Sequence, residues 1–146
     1  MDGLMDLVFF SMCVTLSLLL LTTPLGADGP EPLARRTLLT LLETRPATFS
    51  YEWLGQPRTF RFKSYSQLLA ELALLGFPSE FQRRLAEELR NSLDNLLPLP
   101  YRLSFRAEGS LEIGKGGNSL LARESITLTI PSLPPRRAEL TLELFS

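Results

Sequence analysis

Hydrophobic and polar positions divide the chain into one uniformly apolar stretch followed by segments of period near 3.6 and then of period 2. From Leu7 to Ala27 there are 21 consecutive uncharged residues, about 31 Å as helix, which matches the hydrocarbon thickness of a bilayer. The centre, LVFFSMCVTLSLLLL, has no polar face, and Ser11, Thr15 and Ser17 can return their hydroxyls to helix carbonyls. The expectation is a membrane-inserted helix that meets the lipid bilayer through residues 7–27. Pro24, Gly26, Gly29, Pro30 and Pro32 then stop it and make a linker over residues 28–32.

Three amphipathic helices are expected next. Glu31-Pro32 opens the first, Leu38, Leu41 and Leu42 form its stripe, and Arg45-Pro46 ends it. The second is capped by Ser64 or Ser66, carries Leu68, Leu69, Leu72 and Leu75, and stops at Gly76. Pro78-Ser79-Glu80-Phe81-Gln82 reads as a capping box for the third, with Phe81, Leu85, Leu89, Leu93 and Leu96 as its stripe and Pro98 and Pro100 as its stop. Arg83, Arg84, Glu87, Glu88 and Arg90 form a solvated face there, with Arg84 and Glu88 an i,i+4 pair.

Between the first two helices, TFSYEWL (48–54) and RTFRF (58–62) flank Gly55-Gln56-Pro57, a hairpin pattern with a three-residue loop in which Phe60 and Phe62 share one face. After Pro100 the period becomes two. Tyr101, Leu103, Phe105 and Ala107 alternate with Arg102, Ser104, Arg106 and Glu108, and residues 111–113, 125–130 and 139–145 continue the alternation. The fold class read from this is α+β: an N-terminal transmembrane helix, then helices on a four-stranded antiparallel β-meander with an additional β-hairpin, the domain occupying residues 33–146.

Composition narrows the function. The chain has 146 residues and a formal charge of −1, and that near-neutrality gives no electrostatic footprint for nucleic acid. There is no histidine, and the one cysteine, Cys13, falls in the apolar run. A disulfide framework within the chain, the commonest general base and most zinc chemistry are thereby removed. No metal, cofactor or catalytic set is expected.

The remaining chemistry has plain structural readings. Gly114-Lys115-Gly116-Gly117-Asn118 could cradle a phosphate on its amides, yet it fits no Walker A spacing and opens no helix, so it reads as a hairpin loop. The pairs Glu87-Glu88 and Glu108-Glu112 supply carboxylates, whereas glycosidase work needs two of them across a cleft. Lys63-Ser64 is a close amine and hydroxyl pair in which Ser64 is better explained as a cap. Tyr51 and Trp53 could face a partner, but with Phe49 they alternate as the buried side of the hairpin.

Processing of the N terminus has three readings: a retained anchor, a secretory signal cleaved after Ala27, and a short leader cut at Gly3. Met1 to Asp6 carries two acids and no base, unlike a secretory n-region, and Leu-Gly-Ala before Asp28 matches a cleavage site only in part. Met1-Asp2-Gly3 followed by Leu4, Met5 and Asp6 resembles the leaders of archaeal pilin-like, type IV pilin-related surface proteins, without the basic residue usual before the glycine. That resemblance covers the first two dozen residues and the helix-then-sheet order. It implies Gly3 as the processing glycine, Asp6 as the acid that meets a neighbouring subunit's new amino terminus, and homo- or hetero-oligomers packed through the N-terminal helix. Asp6 also has the simpler role of marking the membrane boundary.

Orientation has two opposed signals. Arg35 and Arg36 follow the apolar run, which by the positive-inside rule places the domain in the cytoplasm. A short N-tail and a lone apolar segment are the form of exported precursors. The sequence is therefore read as a non-enzymatic, single-pass, extracytoplasmic surface protein of assembly or adhesion, with a secreted binding domain as the alternative.

Overall fold

The computed structural model describes residues 29–146; the expected membrane helix over residues 7–27, with Gly3, Asp6 and Ala27, lies outside the described residues. Among those residues no helix is long and apolar enough to cross a membrane.

Helix α1 spans Pro30–Glu43, starting two residues before Pro32, so the expected linker is shorter than 28–32. Pro30 and Pro32 suit the first turn because their missing N–H groups lack intrahelical partners there in any case. Ala34, Leu38, Leu41 and Leu42 are buried. Strands β1 (Thr48–Trp53) and β2 (Gln56–Arg61) pair in a two-stranded sheet. Their loop is Leu54-Gly55, not three residues: both have positive φ, 52° and 79°, as the twist-matching primed turn of a two-residue hairpin requires. Phe62 falls outside β2 at a φ of 57° and is 69% exposed, so it does not share the inner face with Phe60.

Helix α2 (Tyr65–Leu74) holds the capping box, Ser64 accepting from the Gln67 amide and the Gln67 side chain accepting from the Ser64 amide. It ends with Phe77 N–H bonded to Leu72 O and Gly76 N–H to Ala73 O, with Gly76 at φ 76°. Helix α3 (Ser79–Leu96) lacks the capping box expected at Ser79: its N-cap is Pro78, and Gln82 reaches instead to Ser110 O at 3.1 Å. Phe81, Leu85, Leu89 and Leu93 are buried, whereas Leu96 stays exposed beyond the core.

Strands β3 (Tyr101–Arg106), β4 (Ser110–Ile113), β5 (Leu120–Ile130) and β6 (Arg136–Phe145) form one antiparallel sheet in the order β4-β3-β6-β5. This is α+β, but it is not a meander. A meander would put the four-residue β4 in the interior, where it could match little of the eleven-residue β5. Placing β6 there pairs all six residues of β3 on one side and nearly all of β5 on the other.

The altered order makes the glycine-rich segment a crossover from one sheet edge to the other, not a hairpin loop. Gly116 N–H bonds Tyr101 O, Asn118 N–H bonds Ser146 O, and Ser146 N–H returns to Ser119 O. The segment runs so close to the strand ends that a Cβ on Gly114 would collide with the Tyr101 carbonyl, and one on Gly117 would lie 2.7 Å from Phe145 Cβ.

All three helices lie on the sheet face that presents Leu103, Phe105, Leu111, Ile113, Leu140, Leu142 and Leu144, and one core joins them. The hairpin is fixed on α3 by Phe81, whose ring lies 5.2 Å from Phe49, 4.6 Å from Tyr51 and 6.0 Å from Phe60.

Contacts define two ends. At the crossover end, Tyr65 N–H bonds Thr44 O, joining the C terminus of α1 to the start of α2; Tyr65 Oη meets Ser92 in the last turns of α3, and Tyr101 begins β3 beside Asp94. At the opposite end Phe77 packs on Gly109 and Phe105, Gln82 reaches Ser110, and Arg136 pairs with Glu108 beside the β5–β6 loop.

Candidate functional site

The sheet face turned away from the helices is an ordered polar surface built by β3, β6 and β5. Alternation forces this: with Leu103, Leu142 and Leu144 inward, Arg102, Ser104, Arg106, Arg123, Ser125, Thr127, Glu139, Thr141 and Glu143 must point outward.

Strand register orders these side chains into rows. Arg102 and Arg123 both lie opposite Glu143 from its two sides. The Glu143 carboxylate receives Arg123 at 2.9 Å and Arg102 at 4.0 Å, and Arg102 Nε is 3.2 Å from Glu112. That Nε is buried and makes no aligned hydrogen bond, so its link to Glu112 is ionic attraction without directional bonding. The Arg102 guanidinium also sits 5.5 Å from the Phe145 ring centre, beneath which the glycine segment passes. In the next row Ser125 Oγ and Thr141 Oγ1 share a hydrogen bond of 2.9 Å opposite Ser104, and beyond it Glu139 lies between Arg106 and Thr127. Both charge signs alternate with hydroxyls across this surface.

A second feature is an open groove of about 600 Å³ at the crossover end, bounded by Arg90, Asp94, Pro98, Tyr101, Glu112 and Lys115. Tyr101 Oη donates to Asp94 at 2.7 Å. Burial pushes the phenol's pKa well above the ordinary tyrosine range, the bond to Asp94 and that carboxylate's charge raise it further, and Arg90 offsets a part. Tyr101 is thus held neutral as a donor. A smaller groove of about 380 Å³ between the hairpin and α3 includes Ser50, Glu52, Pro57, Glu80 and Arg84.

The residues weighed for chemistry are dispersed. Lys63 Nζ bonds Glu71 at 3.1 Å and lies over the Phe60 ring, while the Ser64 hydroxyl is engaged by the Gln67 amide and Ser66, so amine and hydroxyl do not converge. Glu87 pairs with Arg83 and Arg84, and Glu88 with Arg84 at 3.6 Å. Glu108 meets Arg136 at one end of the sheet and Glu112 meets Arg102 on its open face. The amides of Gly116 and Asn118 are bonded to the strand ends rather than turned toward an anion. Tyr51 is buried, and Trp53 is partly buried against the core. Among the described residues no three His, Cys, Asp or Glu side chains gather as a metal site.

The open-face rows are not legible in the sequence because they depend on pairing β3 with β6, more than 30 positions apart. Their local signal is the polar alternation of Arg102, Ser104 and Arg106, of Ser125 and Thr127, and of Glu139, Thr141 and Glu143. A comparison of the chain with protein-family models, with curated proteins and with solved structures finds no match.

Proposed function

We propose that the chain is a membrane-tethered head that works outside the cytoplasm by contact with other proteins, as an assembly or adhesion component of pilin-like type and without catalysis. The observation that carries this reading is the open sheet face, a register of Arg, Glu, Ser and Thr that no helix of the described residues covers. Rigid strands offer a partner polar groups already in place, which reduces the ordering cost of association. The sequence adds the apolar run over residues 7–27 immediately before the head.

Protease added to intact cells tests the placement: the head is digested while a fragment bearing the apolar run stays in the carbonate-washed membrane pellet. Full protection of the head defeats the outward orientation. Cys13, the chain's one cysteine, reports on assembly through the N-terminal segment, since oxidation of native membranes yields a disulfide dimer when these segments pack together. Substituting the exposed Arg123→Glu makes the lattice net negative while leaving Arg102 beside Glu143, and it is expected to abolish surface assembly or adhesion while far-ultraviolet dichroism stays that of the folded protein.

A secreted binding domain is the second reading, favoured by one observation: ordered helix begins at Pro30, three positions after Ala27. N-terminal sequencing separates the cases. A mature chain starting at Asp28 removes the anchor, and one starting at Leu4 supports leader processing at Gly3.

A further inference from the structure

The tether is very short. If residues 7–27 occupy the bilayer, only Asp28 and Gly29 separate Ala27 from the first residue of α1 at Pro30, and the three chain steps from Ala27 to Pro30 reach about 10 Å at full extension. The polar zone of one leaflet is itself about 5 to 8 Å deep. The start of α1 therefore lies at the lipid surface. The C terminus of α1 is at the crossover end, where Thr44 O accepts from Tyr65 N–H, and the helix packs along β5 and β6, so its N terminus, about 20 Å along the axis, lies toward the opposite end.

That opposite end carries protruding leucines. Leu133, at the tip of the β5–β6 loop, is fully exposed at 101%. Leu74 and Leu75 close α2 beside Gly76 and remain over a third exposed. The β1–β2 hairpin starts at the crossover end, where Phe62 N–H bonds Ala47 O near the Thr44–Tyr65 junction, and lies on the first two turns of α3 through Phe81 and Arg84. Its tip, with Leu54 at 89% exposure, accordingly projects the same way. Arg58 and Arg137 stand close to the two tips in sequence, where cationic side chains favour lipid phosphates. Exposed leucines also occur elsewhere: Leu39 on α1, and Leu96, Leu120 and Leu121 with Phe62 toward the crossover end, but the short tether does not bring that end to the membrane.

We propose that the head docks on the bilayer through this end, with Leu54 and Leu133 entering the lipid interface and Leu74 and Leu75 resting on it. Each leucine transferred from water to the interface adds apolar burial, and the second attachment fixes the head's orientation so that the open sheet face stands edge-on to the membrane. This inference rests on the tether reading above.

Trp53, the chain's one tryptophan, sits next to Leu54 and is a native depth probe. Full-length protein is reconstituted in phosphatidylcholine vesicles, with and without bromine on the upper acyl carbons, and vesicle flotation and Trp fluorescence are both read. The expected result is co-flotation with Trp53 quenched about twofold by brominated lipid. W53F/L133W is quenched likewise, W53F/L120W is not, and L54E/L133E relieves the quenching of Trp53 while the protein still floats. Flotation with Trp53 and L133W both unquenched, or with L120W quenched in their place, overturns the docking and leaves the tether intact. Failure of the chain to float removes the tether and the docking together.

Discussion

The hydroxyl of Tyr101, the first residue of β3, donates to the carboxylate of Asp94 in the last turn of α3 at 2.7 Å. This bond closes the link between α3 and the sheet, just after the Pro98–Pro100 connection. Its consequence is measurable in alkali. Tyr51 and Tyr65 have raised pKa values as well, in each case mainly through burial, so all three tyrosines of the chain favour the neutral form when folded. The unfolded chain releases these protons near the ordinary value of about 10, and the folded chain holds them to higher pH. Stability is therefore full below that value and falls as pH rises through it. Absorbance at 295 nm is expected to show tyrosinate appearing together with loss of far-ultraviolet dichroism. An earlier, separate titration of one tyrosine would contradict the environment described for it. Tyr101→Phe is expected to cost about 1 kcal/mol in denaturant unfolding.

Gly114→Ala and Gly76→Ala separate two reasons for glycine. Both positions have positive φ, 89° and 76°, so either substitution incurs backbone strain of about 1 kcal/mol. Only at Gly114 does the new methyl also meet a fixed carbonyl, that of Tyr101, whereas at Gly76 it enters open space. Gly114→Ala is expected to lose at least about 2 kcal/mol more than Gly76→Ala. Equal losses in urea titrations would show that the crossover does not press on the strand ends.

Helix capping supplies a matched pair. Ser64→Ala removes a side chain that accepts from the Gln67 amide, at an expected cost of about 1 kcal/mol, and Gln67→Ala removes the reciprocal bond. Ser79→Ala is expected to change stability by less than about 0.5 kcal/mol, because α3 has no side-chain cap there. The two serines stand in the same local pattern, each followed three residues later by Gln. What separates them is tertiary: Gln82 is drawn away to Ser110 O on the sheet.

That competition describes how far the chain could be read in advance. Helix stripes such as Leu68, Leu69 and Leu72, and the alternation of Tyr101, Leu103 and Phe105, are set by local periodicity, and both elements form where the pattern places them. Strand order is not local. Whether β5 lies beside β4, as in a meander, or at the far edge beyond β6 depends on matching strand lengths and on a crossover tight enough to need Gly114 and Gly117 without side chains. The candidate face follows from that order, since Arg102 and Arg123 meet Glu143 only once β6 lies between β3 and β5.

Phe81 tests how the hairpin is held. Its side chain is fully buried and lies among Phe49, Tyr51 and Phe60. Truncation removes both a core ring and the surface on which β1 rests. Phe81→Ala is expected to cost about 3 to 5 kcal/mol. Amide exchange offers the sharper check: protection of Phe49 and Tyr51 should fall further than that of Leu140 in the central strand, because the hairpin is otherwise a two-stranded sheet with little support of its own.

Glu143 tests the lattice. Its side chain is only 12% exposed and receives Arg123 at 2.9 Å and Arg102 at 4.0 Å. Arg123 is well exposed, so solvent screens that pair, and a double-mutant cycle of Glu143→Gln with Arg123→Gln is expected to give a coupling below about 1 kcal/mol. In 1 M salt, where the screening length falls to about 3 Å, this coupling should nearly vanish. Arg102 is held differently, by Glu112 and by the Phe145 ring as well as by Glu143. Glu143→Gln therefore leaves Arg102 partnered, and the cycle with Arg102→Gln should keep more of its value in high salt because Arg102 Nε is buried. A salt response identical for both arginines would mean that the lattice is a row of independent surface charges. A lattice fixed from beneath at Arg102 and free at Arg123 has one rigid and one adaptable edge, and a protein partner that binds it should lose more affinity from Arg102→Ala than from Arg123→Ala.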